Sequence, residues 1–288
     1  MTRPFPPLSA PDRLRALLAE GQLLVLPCPY DGLSARLVAQ AGYRAAFMGG
    51  YAVAAGRFGW PDIGLVSPTE MLDSARSIIR AAGLPVLVDG DTGYGGDANI
   101  ARTIADLGQA GAAAVMIEDQ TWPKRCGHIP GKQVVPRDEA VARIRAAVAA
   151  RDATPTRPLI LARTDARTVH GMEEALARVT AFAGAGADLL FLEAPENEAE
   201  MRAFTAATPL PCLANMLAGG RTPRLSHDRL AALGFAMAAY PLDLIGAASA
   251  ALEGVLQGGL AHPPPAGAPP AHDHATLLKI TGFDDTRP

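Results

Sequence analysis

Eight short, nearly unbroken apolar runs punctuate the chain, and they constrain its fold more than any other feature. They are 23-27, 44-49, 85-91, 112-119, 158-165, 187-194, 210-216 and 234-241. Continuous hydrophobicity over five to eight residues is what a parallel strand covered on both faces requires. Between the runs lie segments of helical period: 32-41, 68-82, 97-110, 137-150, 171-185, 197-206, 226-233 and 243-257. Ser67, Asp97, Asn197 and Ser226 stand where N-caps belong. Gly42, Gly83, Gly111, Gly186 and Gly234 each follow a helical segment just before a strand, where a left-handed cap turns the chain. Eight repeated strand-helix units predict a (β/α)8 TIM-type barrel over residues 1-258. An open doubly wound sheet is the competing arrangement, but it rarely runs to eight regular units.

The remainder, 259-288, opens with the Pro-rich linker 262-272 and then turns apolar again at 276-283. A short amphipathic segment on such a linker is expected to dock on its own or a neighbouring subunit. Length and composition agree with one barrel: 288 residues, 49% hydrophobic but only 5% aromatic, so the interior is built from Ala, Val, Leu and Ile. With 26 Lys and Arg against 29 Asp and Glu, and no basic run, nucleic acid is not an expected partner. No segment approaches the ~18 apolar residues of a spanning helix, and the N-terminus lacks a signal core, so a cytoplasmic protein off the membrane is expected. The three cysteines, Cys28, Cys126 and Cys212, are odd in number and widely spaced, which fits reduced thiols.

An α/β barrel carries its active site at the C-terminal ends of its strands. The polar residues closing the apolar runs are Asp89, Asp91, Glu118, Asp119, Arg163, Asp165, Glu193 and Asn215. So many carboxylates at one mouth demand a neutralising cation. Asp91, Asp89 and Glu118, with Asp62 as a weaker fourth, are the expected ligands; oxygen donors alone select Mg2+ or Mn2+ over zinc. Asp119 and Asp165 are expected instead to cap helices or pair with arginines. The loop 121-132 is basic and rich in turn formers, and it sets Cys126 within two residues of Lys124, Arg125 and His128. Cations converging there would favour the thiolate, and Gly127 and Gly131 would let the loop close over a reactive intermediate.

These residues resemble the isocitrate lyase and phosphoenolpyruvate mutase superfamily, above all its short 2-methylisocitrate lyase and 2,3-dimethylmalate lyase-like members. The run Lys124-Arg125-Cys126-Gly127-His128 looks like the lyase signature of that superfamily. It lies in a longer matching stretch from Ile117-Glu118-Asp119-Gln120 to Gly131-Lys132-Gln133-Val134, and Asp89-Gly90-Asp91-Thr92-Gly93-Tyr94-Gly95 and Ala162-Arg163-Thr164-Asp165 match as well. The resemblance implies Mg2+ near Asp91, with Asp62, Asp89 and Glu118 acting directly or through water. It implies that Arg163 grips a substrate carboxylate, that Glu193 and Asn215 orient substrate groups, and that Cys126 protonates the carbanionic product. Phe47, Gly49, Gly50, Tyr51 and Gly127 complete the expected substrate-binding set; Lys124, Arg125, His128 and Glu118 join Cys126 in the expected catalytic set. A homotetramer exchanging a C-terminal helix is also implied.

The implied reaction is Mg2+-dependent carbon-carbon cleavage of a 2-hydroxy dicarboxylic or tricarboxylic acid by retro-aldol chemistry. Within the superfamily the alternatives are an oxaloacetate hydrolase or a phosphonopyruvate-processing enzyme, and outside it a non-catalytic barrel serving as a binding protein. Three positions depart from the pattern: Gly49 stands where relatives usually carry Ser or Thr, Ala218 where a glutamate is common, and Cys28 where a glycine is usual. Pocket groups of this kind decide which 2-substituent fits, so the substrate is the property they bear on. Gly93-Tyr94-Gly95-Gly96 reads as a strand-to-helix turn, since it lacks the lysine and hydroxyl of a phosphate loop.

Overall fold

The computed structural model describes residues 8–127, 131–258, 260 and 271–283. Its strands are β1 (Leu24–Pro27), β2 (Ala46–Met48), β3 (Val86–Asp89), β4 (Ala114–Glu118), β5 (Leu159–Thr164), β6 (Leu189–Leu192), β7 (Cys212–Asn215) and β8 (Met237–Tyr240). All seven hydrogen-bonded neighbour pairs are parallel, β1 pairs with β8, and β1 and β2 lie side by side, so the sheet forms a nearly closed (β/α)8 barrel. The helices are α1 (Ala10–Ala19), α2 (Gly32–Gln40), α3 (Gly50–Val53), α4 (Pro68–Ala82), α5 (Asp97–Gln109), α6 (Arg137–Ala153), α7 (Ala166–His170), α8 (Met172–Gly184), α9 (Glu198–Ala206), α10 (His227–Ala232), α11 (Asp243–Gln257) and α12 (His274–Thr281).

The period of two along each strand divides the core in two. Leu24, Leu26, Leu87, Met116, Leu161 and Phe191 face the barrel interior, where Leu14 of α1 packs with them. Their neighbours Val86, Val88, Val115, Ile117, Ile160 and Leu190 face outward to the helices. Continuing the inward parity past the strand ends puts Gly49, Asp89, Glu118, Arg163, Glu193 and Asn215 at the barrel mouth. Continuing the outward parity puts Asp119 and Thr164 behind the wall.

Gly42, Gly83, Gly111, Gly186 and Gly234 all adopt positive φ between 61° and 98°, as helix ends feeding strands require. Ser67, Asn197 and Ser226 cap their helices through side-chain hydrogen bonds. Asp97 differs from expectation. The N-cap of α5 is Gly96, and Asp97 stands in the first turn, where its charge meets the helix dipole. The sequence reading also passed over α1, α7 and the α3 turn, which continues into a π-helical turn at Ala54–Phe58. α12 lies against α2, its Ile280 carbonyl accepting from Gln40 Nε2 at 3.2 Å.

Candidate active site

β3 ends on Asp89, and the chain then turns sharply. Asp89 Oδ1 accepts from the Asp91 backbone N–H at 3.0 Å, and its Oδ2 accepts from Gly50 N–H at 3.0 Å, which ties the start of α3 to β3. Asp91 itself has φ 49°, a left-handed conformation that aspartate tolerates better than most residues. Its carbonyl accepts from Glu118 N–H at 2.9 Å, so the end of β4 holds the strained turn in place.

Lys124 returns from the β4 loop and inserts its ammonium among these acids. It hydrogen-bonds Asp62 Oδ1, and its Nζ lies 2.8 Å from Asp91 Oδ1, off the hydrogen-bonding directions. Its charge therefore goes to carboxylates. Burial works against the ammonium, but Asp91, Asp62, Asp89 and Glu118 outweigh it and hold the lysine protonated well above its ordinary range. Gly50 makes room for this cluster: a Cβ there would meet Asp89 Oδ2 at 3.2 Å and Lys124 Nζ at 3.3 Å.

On the opposite wall Arg163 at the end of β5 is clasped by three acids. Its Nε and Nη2 donate to Asp165 at 2.8 and 3.1 Å, Nη2 meets Glu193 at 3.0 Å, and Nε stands 3.4 Å from Glu118. Its Nη1 hydrogen-bonds no carboxylate among the described residues. Asp165 also receives Lys132 Nζ at 2.6 Å, and Lys132 ties down the Gly127 carbonyl at 2.6 Å. Lys132 was not among the expected site residues, and it fixes the loop that carries Cys126. At Gly127 a Cβ would lie 2.5 Å from both Arg163 Nη2 and Glu193 Oε2, so a side chain there would push apart the Arg163–Glu193 pair. Asn215 at the end of β7 donates to Glu193 at 3.2 Å.

One pocket of about 260 Å3 joins these groups. It is lined by Phe47, Gly49, Gly50 and Tyr51 from β2 and α3, by Asp62, Asp89 and Glu118, by Arg125, Cys126 and Gly127, and by Arg163, Glu193 and Asn215. Asp91 is buried beneath it. Cys126 is half-buried at the pocket edge, and Arg125 is exposed. His128 lies outside the described residues; Lys124 and Arg125 line the same pocket as Cys126, and Lys124 is committed to acids.

Among the described residues the charges do not balance: Asp62, Asp89, Asp91, Glu118, Asp165 and Glu193 face Lys124, Lys132 and Arg163. Among the same residues, Glu118 Oε1 and Asp91 Oδ1 are buried and accept no hydrogen bond. Burial, reinforced by the charge of Asp91, pushes Asp89 up to about 6, and burial drives Glu118 well above the usual carboxylate range. A hard dication fits this donor set, which is all oxygen, in excess of its counter-charges and under-used. Among the described residues no three Asp, Glu, His or Cys side chains converge at ligating distance, because the Lys124 ammonium stands between Asp62 and Asp91.

Asp119 and Asp165, expected as helix caps or arginine partners, are the latter. Asp119 accepts from Thr164 Oγ1 at 2.6 Å, Asp165 N–H at 2.9 Å and Arg178 Nη1 at 3.0 Å. Thr164 and Arg178 were likewise unforeseen.

A (β/α)8 barrel whose strand ends bring acids, a guanidinium and a half-buried thiol to one pocket is an enzyme of the barrel class. The family described as phosphoenolpyruvate phosphomutase matches residues 14–258. Among similar proteins, 2,3-dimethylmalate lyase of Eubacterium barkeri is 42% identical over 242 residues, which cover 83% of this chain and 82% of that one. The 2-methylisocitrate lyase of Bacillus subtilis (strain 168) is 42% identical over 241 residues, covering 84% and 78%. A solved structure of oxaloacetate acetylhydrolase with the inhibitor 3,3-difluorooxalacetate superposes with a TM-score of 0.91 at 36% identity, covering 96% of this chain and 94% of that one. The chain belongs to the phosphoenolpyruvate phosphomutase family, within the isocitrate lyase/PEP mutase superfamily.

Proposed function

We propose that this protein is a Mg2+-dependent lyase that cleaves the C2-C3 bond of a 2-hydroxy dicarboxylic or tricarboxylic acid, giving a 2-oxo acid and a carboxylic acid. The observation that carries the reading is the surplus of buried carboxylate around Asp89, Asp91 and Glu118, facing Arg163 and Cys126 across one pocket. Asp91, Asp89, Asp62 and Glu118 would hold the cation, directly or through water; Mn2+ would serve in its place. Bound there, the dication stabilises negative charge on the substrate 2-oxygen and adjoining carboxylate.

The protein's own groups supply the rest. Arg163 Nη1 receives the second carboxylate, while Asp165 and Glu193 fix the plane of the guanidinium. The C2 hydroxyl gives its proton to solvent water, and as the resulting alkoxide collapses to a carbonyl the electron pair of the C2-C3 bond moves into the departing half as an enediolate. Cys126 then gives its thiol proton to the former C3 carbon. Glu193 accepts from the Asn215 amide and fixes its orientation in the pocket. Lys132 and the narrow space at Gly127 set the thiol-bearing loop against Arg163.

The test is to incubate the full chain with Mg2+ and methylisocitrate, 2-alkylmalates, oxaloacetate and phosphonopyruvate in turn, and identify the products. Cleavage of a 2-hydroxy acid that EDTA stops supports the reading. Oxalate released from oxaloacetate as the main product replaces it with the hydrolase reading, which the likeness to oxaloacetate acetylhydrolase favours as second choice.

We further infer a cytoplasmic homotetramer exchanging C-terminal helices. The support is α11, which has no buried residue, with Leu252 and Leu256 more than 60% exposed, beside a groove lined by Leu37, Tyr43, Tyr240 and Leu244. Light scattering on the purified chain tests the assembly.

A further inference from the structure

The two walls of the pocket differ in chemistry. From β3 to β6 the lining is ionic apart from the Phe191 ring beneath Arg163; on the β7 and β8 side it is Leu213, Leu217, Ala239, Pro241 and Leu242, with Asn215 turned toward Glu193. Gly49 faces the same space from β2. Its φ of −92° suits any residue, and a Cβ there would meet nothing nearer than the Phe47 ring at 3.5 Å. The backbone does not require glycine at that position, so its missing side chain leaves extra room.

The cations lining the pocket among the described residues are Lys124, Arg125 and Arg163. Lys124 is held by Asp62 and Asp91. Arg163 has one nitrogen to offer a carboxylate. Arg125 is exposed, with its guanidinium beside Gly131, where a Cβ would lie 3.6 Å from Nη1. A substrate with two carboxylates is therefore matched: one at the acid cluster with its cation, one on Arg163. Among the described residues a third finds only the exposed Arg125 at the pocket rim, and on the β7 and β8 side it would lie against leucine side chains, where a charge loses hydration and gains no partner.

We infer that Leu213, Leu217 and Leu242 form a specificity wall for an alkyl arm on C3, which makes this enzyme selective for alkyl-substituted 2-hydroxy dicarboxylates over tricarboxylates. The inference rests on the lyase reading and narrows its substrate. 2,3-Dimethylmalate and 2-methylisocitrate are a matched pair, since they differ only in whether C3 bears a methyl or a carboxymethyl group. Cleavage gives the same 2-oxo acid from both, with propanoate from the first and succinate from the second.

With Mg2+ present, kcat/KM for 2,3-dimethylmalate should exceed that for 2-methylisocitrate by at least about 100-fold, the scale of an unpaired buried charge. Propanoate should inhibit more strongly than succinate. Leu217→Arg, at a half-buried pocket position, should narrow the substrate ratio by roughly tenfold or more by supplying a partner for the third carboxylate. Equal or faster cleavage of 2-methylisocitrate, or tighter inhibition by succinate, overturns the inference while leaving the lyase reading intact. If neither acid is cleaved, the lyase reading stands or falls on the wider acid screen above, and calorimetry decides the wall alone: succinate binding more tightly than propanoate to the Mg2+-loaded wild type overturns it.

Discussion

Glu118 and Asp119 are adjacent in the chain and equally buried, yet they belong to opposite kinds of charged cluster. Asp119, on the outward parity of β4, spends both oxygens on Thr164, Asp165 N–H and Arg178, and Arg178 completes its own shell with Glu174 at 2.8 Å. Glu118, on the inward parity, leaves Oε1 without a partner and reaches Arg163 only at 3.4 Å. A cluster that satisfies itself can only brace the barrel. One that keeps a deficit of positive charge is free to take up a cation and a substrate, and the under-satisfied cluster is the one that faces the pocket.

The largest effect should come from removing a charge at the mouth. Asp91→Asn keeps a residue that tolerates left-handed φ but takes away a carboxylate proposed to hold the cation, so kcat/KM should fall by about 10^3-fold or more, on the order of 4 kcal/mol of transition-state stabilisation. Asp91 repels Asp89 but also pairs with Lys124, which keeps Asp62 as a partner, so the metal-free variant should lose less stability in urea than a variant that strips a buried acid of its one guanidinium. A marked loss of stability would make the mouth a brace like the collar behind it.

The converse substitution sits behind the wall. Arg178→Met leaves Asp119 buried with its charge uncompensated, which should cost about 3–5 kcal/mol in urea unfolding. The folded fraction should retain kcat within a few-fold. A loss of kcat matching that of Asp91→Asn would erase the distinction between the two clusters.

How far the sequence disclosed this contrast follows from what is local. The barrel was legible because each strand carries its own apolar run and each helix end its own glycine, as Gly83 before β3 and Gly186 before β6 show. The mouth acids were legible because they close those runs. Period-two counting from Leu87 or Met116 would also have separated Glu118 from Asp119. What stayed hidden are partnerships set by three-dimensional register: Arg178 is 59 residues from Asp119, and Lys132 is 33 residues from Asp165. The destination of Lys124 was hidden for the same reason, since the carboxylates that attract it come from other strands and loops, while its chain neighbour Cys126 was the partner in view. α1 escaped because Leu14, Leu17 and Leu18 are too few to stand out in a Pro-rich lead-in, although Leu14 is fully buried in the barrel core.

A smaller effect sharpens the comparison through the ligand. Mg2+ that binds the folded mouth and not the unfolded chain should raise wild-type stability by about 2.7 kcal/mol at a hundredfold excess over its dissociation constant. Thermal unfolding with and without Mg2+ measures this. The increment should survive in Arg178→Met and vanish in Asp91→Asn; an equal increment in all three proteins would put the cation elsewhere.

The smallest effect lies at the rim of the collar, where Glu174 links Arg178 to Arg137. The Arg137 guanidinium, aided by Arg178 and only partly opposed by burial, lowers the Glu174 carboxyl to about 2. A carboxylate whose folded pKa lies below its unfolded value of about 4.5 contributes stability at higher pH, and the contribution fades as pH falls from the unfolded toward the folded pKa. Glu174→Gln should therefore be less stable than wild type at pH 7, with the gap closing between about pH 4.5 and 2. Taking the difference between the two proteins in urea at each pH cancels the titration of the shared carboxylates. The effect should be small, because the Arg137 side of the pair is half exposed and screened. A gap that instead widened on acidification would mean that Glu174 is protonated more readily in the folded protein than in the unfolded chain, and Arg178 would then be left with Asp119 as its sole ionic partner.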